Sequence, residues 1–234
     1  MLCGTNMTDI KISNRSAILR LLHEAGAMSR KQIAARLKLT PATITVIINE
    51  LMNESILVEG NSVPNAGAVG RREVMVEISG EKYVALGLAL SQGLVKFTVV
   101  NLHGEIIHEE TFKLPEILTP EYFAETIGRQ IQLKIASYGY SENFIIGIGI
   151  TVCGVVDFAN GIILDSDGIW EEKNVPIVKM FRKQFSFPVI AANNVRSYAN
   201  AYAFLQHDSQ LQNMLFIRNE ATMGVSLILN GQFY

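Results

Sequence analysis

Cysteine is nearly absent: Cys3 and Cys153 are the only two among 234 residues, and neither has a second thiol nearby in sequence. That count excludes a disulfide framework and a cysteine-rich zinc site. Long hydrophobic runs are missing too. The longest nearly apolar stretch, FIIGIGITVCGVV (Phe144 to Val156), has 13 residues and includes a threonine, too short for the roughly 20 that cross a bilayer. The start, MLCGTNMTDIKISNR, shows no apolar run followed by a small-residue cleavage site, so a cytoplasmic protein with no membrane segment is expected. Charge is sparse, 18% of residues against 49% hydrophobic, which excludes a disordered chain and leaves ample material for a core.

What charge there is lies unevenly. Residues 1–80 carry nine Lys/Arg against seven Asp/Glu, a balance of +2, and the remainder carries eleven against fifteen, a balance of −4. A mildly basic front on an acidic body is compatible with nucleic-acid binding.

Three short helices are predicted in that front part. SNRSAILRLLHEA (13–25) puts Ile18, Leu19, Leu21 and Leu22 on one side, with Ser13 or Asn14 as its cap and Gly26 as its stop. Ser29 caps RKQIAARL, and Thr40-Pro41 opens PATITVIINELMNES, a cap followed by proline at the first helical position. Two β-like pieces follow, ILVEG (56–60) and REVMVEI (72–78), separated by the Gly-, Pro- and Asn-rich NSVPNAGAVGR. The tight turn between the second and third helices is that of a helix-turn-helix, and the ribbon makes it winged.

In such a unit the third helix enters the major groove. Its outward positions here are Ala42, Thr43, Thr45, Val46 and Asn49: methyl groups suited to thymine, hydroxyls suited to phosphates or base edges, and an amide suited to adenine. Ser29 and Thr40, at helix N-termini, are placed for phosphate contact. Arg71 and Arg72, beside Gly67 and Gly70 at the wing tip, can reach a minor groove. Three short polar or β-branched residues on an exposed helix face are poor helix formers, so recognition explains a choice that stability does not.

After Gly80 the pattern changes to an antiparallel meander (YVALGLAL, GLVKFTVVNL, GEIIHEETFKL). A helix (PEYFAETIGRQIQLKIASYG), the strand NFIIGIGITV and the strand pair VVDFANGIIL come next. A helix (VPIVKMFRKQF), the strand FPVIA, a helix from Asn194 to about Gln206 and a last hairpin close the chain. This is an α/β arrangement. Two domains are expected, residues 1–80 and 81–234.

The front segment SRKQIAARLKLTPATITVIINELMNESILVEG, with GAVGRREV, resembles the winged helix of ROK-family transcriptional repressors, the xylose and N-acetylglucosamine repressor type. GITVCGVVDFANGIIL resembles the Gly-x-x-x-Pro-Gly-x-Val-Asp segment of the family, with Cys153 where proline is usual. FPVIAANNVRSYANAYA resembles its Glu-Asn-Asp strand-to-helix element, and LFIRNEATMGVSLILNGQFY its glycine-rich hairpin. The resemblance implies an actin-like, ribonuclease-H-like ATPase/sugar-kinase lobe behind the DNA-binding domain. It also implies a double-stranded DNA operator, a small sugar effector and a homodimer.

Departures from the family pattern remove the kinase chemistry. Asn194 stands where the family kinases carry the Asp that deprotonates the sugar hydroxyl, and Ala192 where they carry Glu. An amide cannot accept that proton, which removes a contribution of ~10²–10⁴-fold. Ala89 replaces the acidic residue of the first phosphate loop. In the second, EATMG, Glu220 adds negative charge while Ala221 and Met223 add bulk. No catalytic residue, metal or cofactor is therefore expected. Asn193 and Asn194 are the expected sugar contacts, Asn193 foremost, although Asn here also caps helices. Trp170 matches a tryptophan of the repressor branch or packs in the core; Asp157 and Asp165 read as turn formers. Family members continue past NGQFY with a Gly-Glu-x-Gly-His segment and a zinc motif, so the chain reads as C-terminally incomplete within the second lobe. The leading expectation is a repressor of carbohydrate-utilisation genes, for example in xylose metabolism. A sugar kinase with an accessory domain and a ligand-blind, truncated DNA-binding protein remain the alternatives.

Overall fold

In the computed structural model, residues 6–63, 73–115, 118–205, 212–219 and 223–234 are described. They fall into two compact units: residues up to Tyr83 with Asn101–Gly104, and Val84–Val100 with Glu105–Tyr234.

The first unit holds α1 (Met7–Ala25), β1 (Met28–Ser29), α2 (Arg30–Leu37), α3 (Pro41–Asn53), β2 (Leu57–Val63) and β3 (Glu73–Ile78). Helix α1 starts earlier than Ser13 or Asn14. Asn6 is its cap, accepting from the Thr8 N–H, while the Asp9 carboxylate accepts the Asn6 N–H. That reciprocal pair nucleates a first turn whose Ile10 and Ile12 stay exposed, so apolar periodicity does not reveal it. Gly26 (φ 73°) ends the helix, and Lys38 (φ 54°) makes the left-handed turn between α2 and α3. Ile18, Ile33, Ile44, Ile48, Leu51, Leu57 and Val76 close one core. Strand β3 pairs antiparallel with β2 and, on its other side, with the two-residue β1. β1 is too short to show any period.

Three ion pairs hold α1 to the C-terminal end of α3: Lys11–Glu50 at 2.8 Å, Arg15–Glu50 at 3.6 Å and Arg15–Glu54 at 2.5 Å. Hydrogen bonding to Arg15 depresses the Glu54 pKa, so the clamp is fully present above the ordinary glutamate range and is lost as pH falls through that lowered value. The resistance of this unit to denaturant should fall in acid, and Glu54→Gln should flatten that pH dependence. Because Glu54 is partly exposed, the effect is modest.

The second unit is built on a five-stranded sheet of β4 (Val84–Ser91), β5 (Leu94–Asn101), β6 (Ile106–Lys113), β7 (Ile145–Val152) and β10 (Val189–Asn193). Its order is β10-β7-β4-β5-β6, with β4, β7 and β10 parallel and β5, β6 antiparallel. Leu86, Leu88, Phe97, Ile148 and Ile150 bury one face against Phe123, Ile127 and Ile131 of α4 (Pro120–Ser137) and Phe181 of α5 (Ile177–Arg182). The pair β8 (Val155–Asp157) and β9 (Ile162–Asp165) leaves the C-terminal end of β7. From β10 the chain enters α6 (Asn194–Leu205), then the sheet of β11 (Met214–Asn219), β12 (Met223–Leu229) and β13 (Gln232–Phe233). The observed order therefore has the helix-turn-helix unit first and the mixed α/β lobe second, as expected from the sequence.

Candidate functional site

On α3, the core takes Ile44, Ile47, Ile48 and Leu51. The 3.6-residue period then leaves Ala42, Thr45, Val46 and Asn49 exposed, with Thr43 half-buried. That outer face carries no charge. Glu50 and Glu54, the acidic groups of the same end of the unit, are held by Lys11 and Arg15. Carboxylates that would repel a polyanion are thus neutralised by α1.

The threonines are less free than their position implies. Thr40 accepts the Thr43 N–H at 3.2 Å, and their hydroxyls lie 2.8 Å apart. The Thr45 hydroxyl donates to the Pro41 carbonyl at 2.8 Å, so its proton is taken and its methyl remains for contact. Thr45→Val should change DNA affinity less than about threefold, measured by fluorescence anisotropy. A larger loss would mean that the hydroxyl itself binds DNA, since a lost hydrogen bond costs about 0.5–1.5 kcal/mol or more.

One expectation is corrected. Ser29 does not offer itself to phosphate: it is 2% exposed, its hydroxyl accepts the Gln32 N–H, and its own N–H donates to the Gln32 side chain. Both groups belong to the capping box. Thr40 is exposed and keeps its place at the helix start. Arg71 and Arg72 lie outside the described residues. Lys31 and Lys38, near the two ends of α2, are exposed, and Lys31 lies 3.9 Å from Glu73.

A cleft of about 560 Å³ opens at the C-terminal ends of β4 and β7, where open α/β sheets place ligands. Ala89 and Gln92 come from the β4 end, Thr151 and Cys153 from the β7 end. Asn194 and Tyr198 face it from α6, and Arg218 from β11, with its guanidinium 5.3 Å from the Tyr198 ring centre. Asp167 is the one carboxylate among the described lining residues, and the Cys153 thiol lies 3.1 Å from it. Burial, and then Asp167, push the Cys153 thiol up, which keeps it a neutral donor.

The two asparagines divide the work differently from the expectation. Asn193 caps α6: its Oδ1 accepts from the Val195 and Arg196 N–H groups at 2.9 and 3.1 Å, and its Nδ2 donates to the Gly154 carbonyl at 2.8 Å. It does not line the cleft; Asn194 does, although its Oδ1 also accepts the Val195 N–H at 2.8 Å. Ala89 stands exposed at the cleft with only a methyl group, and Met223 is 73% exposed on β12. Glu220 and Ala221 lie outside the described residues. Trp170 is buried against Phe123, ring centres 5.6 Å apart, and belongs to the core. Asp157 accepts from Asn160, and Asp165 accepts the Asp167 N–H and pairs with Lys173, as turn residues do. Among the described residues no three His, Cys, Asp or Glu converge as metal ligands, and no helix is long and apolar enough to cross a membrane.

Comparison with known proteins covers both regions. The profile described as "ROK family" matches residues 86–234, and that described as "Winged helix-turn-helix DNA-binding" matches residues 13–58. The DNA-binding transcriptional dual regulator NagC of Escherichia coli is 26% identical over 229 residues, covering 98% of this chain and 55% of NagC. A crystal structure of a ROK family transcriptional regulator, a homolog of the E. coli MLC protein, superposes with a TM-score of 0.79 at 24% identity, over 96% of this chain and 56% of that one. A ROK family glucokinase from Streptomyces griseus, solved with glucose and AMPPNP, matches 64% of this chain and 46% of its own at a TM-score of 0.50 and 19% identity. The chain spans about half the length of the curated relatives it matches.

Proposed function

This chain belongs to the ROK family, and from that premise we propose that it is a DNA-binding transcriptional regulator, a cytoplasmic repressor of carbohydrate-utilisation genes. In this reading residues 1–80 bind an operator and residues 81–234 sense a small sugar without catalysing its phosphorylation. The observation that carries it is the pairing of an exposed, uncharged α3 face with a cleft whose key position is an amide. Val46, Asn49, Ala42 and the Thr45 methyl read base edges; Thr40, with Thr43 behind it, meets phosphate.

Asn194 offers a donor and an acceptor to sugar hydroxyls but cannot take up a proton at neutral pH. Ala89 adds no carboxylate. The family contains glucokinases, so the competing reading is a sugar kinase with an accessory N-terminal domain. Two copies, binding half-sites, supply operator affinity, and sugar favours a conformation with weaker affinity for DNA.

The test has two arms. The purified chain should bind a preferred duplex with log K falling linearly in log salt, at a slope of about −0.9 per phosphate neutralised. A sugar panel should raise the melting temperature for one member, and that member should weaken DNA binding. Absence of salt-sensitive, sequence-preferring binding sinks the regulator reading; turnover of ATP with any hexose replaces it with the kinase.

A further inference from the structure

The outer face of α3 is a single stripe: Ala42, Thr45, Val46 and Asn49 follow the three- and four-residue spacing of one helix side, and all four are exposed. The first three offer methyl groups and little else. Ala42 has no other side-chain atom, Val46 is 57% exposed, and the Thr45 hydroxyl is committed to the Pro41 carbonyl at 2.8 Å. Thr43, beside them, is half-buried, with its hydroxyl 2.8 Å from that of Thr40. The stripe holds no Arg or Lys, the usual donors to guanine, and no Asp or Glu, the usual acceptors from the cytosine amino group. Its one amide, Asn49, stands at the far end. From Ala42 to Asn49 the helix rises about 10 Å, roughly three base-pair steps. To such a surface the major groove offers one apolar feature, the methyl group on C5 of thymine. 5-Methylcytosine carries the same group at the same ring position.

We propose that α3 recognises the C5-methyl group itself, so that the chain selects duplexes by their methylated pyrimidines. Thymine and 5-methylcytosine are accepted opposite Ala42, Thr45 and Val46, while uracil and cytosine are bound more weakly. Asn49 marks the one position where the pair must be A·T, because its amide reads N6 and N7 of adenine. Hydrogen-bonding edges do not decide the other positions: thymine O4 accepts and the cytosine amino group donates, but the only polar group facing them, the Thr45 hydroxyl, is turned to its own backbone. Methyl contacts carry no charge, so this discrimination adds to phosphate binding without sharing its salt dependence. Such recognition rests on the regulator reading, in which α3 lies in the major groove. It adds a modified base as ligand and cytosine methylation of the operator as a means of control.

Duplexes selected by the full chain from a random pool supply the probe, with affinity read by fluorescence anisotropy. Replacing thymines by deoxyuridine one at a time removes the methyl and keeps every hydrogen-bonding group. At two or three neighbouring positions affinity should fall about fourfold each, the effect of one methyl leaving an apolar contact. The factor should be the same at low and high salt. At those positions a cytosine·guanine pair should bind weakly, and 5-methylcytosine·guanine should recover most of the loss. Val46→Ala separates contact from DNA shape. Alanine is the better helix former at this exposed site, so the fold is kept, and one deoxyuridine effect should shrink below about 1.5-fold in the variant. Deoxyuridine effects that persist unchanged in Val46→Ala, or 5-methylcytosine bound no better than cytosine, would overturn the proposal. A selected duplex indifferent to deoxyuridine sinks it alone and leaves the regulator reading standing, whereas failure to select any duplex sinks both.

Discussion

Val46→Glu should lower operator affinity by about 100-fold or more, close to 2.7 kcal/mol, while the melting temperature of the protein hardly moves. Val46 is 57% exposed at the centre of the outer face of α3, one residue from Thr45 and three from Asn49. Its side chain takes no part in the core, and glutamate is a better helix former than valine, so folding has no reason to suffer. Binding does. The major groove presents mostly acceptors, at N7 and O6 of guanine, N7 of adenine and O4 of thymine. An ionised carboxylate has no donor to offer them and is repelled by the phosphates on both sides. The neighbouring side chains cannot neutralise it, because the face holds no cation and both Lys11 and Arg15 are engaged with Glu50 and Glu54. Val46→Thr keeps one methyl group and serves as the control, with a loss under about tenfold. Fluorescence anisotropy at fixed salt measures both. If Val46→Glu binds within about threefold of the wild type, α3 is not the reading helix and the reading of residues 1–80 falls with it.

How far the sequence could be read depended on whether a side chain had one plausible partner or two. The α3 face was legible because only one phase of the helix buries Ile44, Ile47, Ile48 and Leu51 together, and the outward residues follow by elimination. The succession of strands and helices along the second unit was legible from the turn residues between apolar segments, but the parallel pairing of β7 with β4 and β10 was not. Ser29 was not. Its cap position was correctly read, but the capping box with Gln32 uses up the hydroxyl and the N–H that a phosphate would need. Asn193 and Asn194 posed the same difficulty. Two adjacent amides at a strand end leave the sequence unable to say which one turns to the helix and which to the cleft. That choice is made by the Gly154 carbonyl, 39 residues earlier in the chain, which accepts the Asn193 amide. The start of α1 was hidden because Thr8, Asp9 and Ile10 are exposed and the turn is held by the Asn6–Asp9 capping box.

Gly154→Ala should lower the melting temperature by about 10 °C and abolish any sugar-induced rise in it. Gly154 sits at φ 119°, outside the regions open to residues with a Cβ. A Cβ there would lie 2.1 Å from the Asp165 carbonyl oxygen and 3.2 Å from the Asp167 nitrogen, both backbone atoms with no rotamer to yield. Relief requires β8 to part from β9 where Val155 pairs with Asp165. Strain and lost pairing together come to about 3–5 kcal/mol, and a unit of this size loses roughly 2–4 °C per kcal/mol.

The functional consequence follows from the carbonyl of the same residue. Moving it releases the Asn193 Nδ2, and with it the orientation that lets Asn193 cap α6 and leaves Asn194 facing the cleft. Displacing Asp167 also removes the acceptor of the Cys153 thiol from the opposite wall. Gly149, five residues earlier on β7, is the contrast. A Cβ there would meet nothing nearer than 4.0 Å, so Gly149→Ala should change stability by less than about 1 kcal/mol. Thermal unfolding of the two variants with and without the sugar separates backbone necessity from mere smallness. Should Gly154→Ala melt within about 2 °C of the wild type and still respond to sugar, the coupling from turn to cap to cleft does not exist.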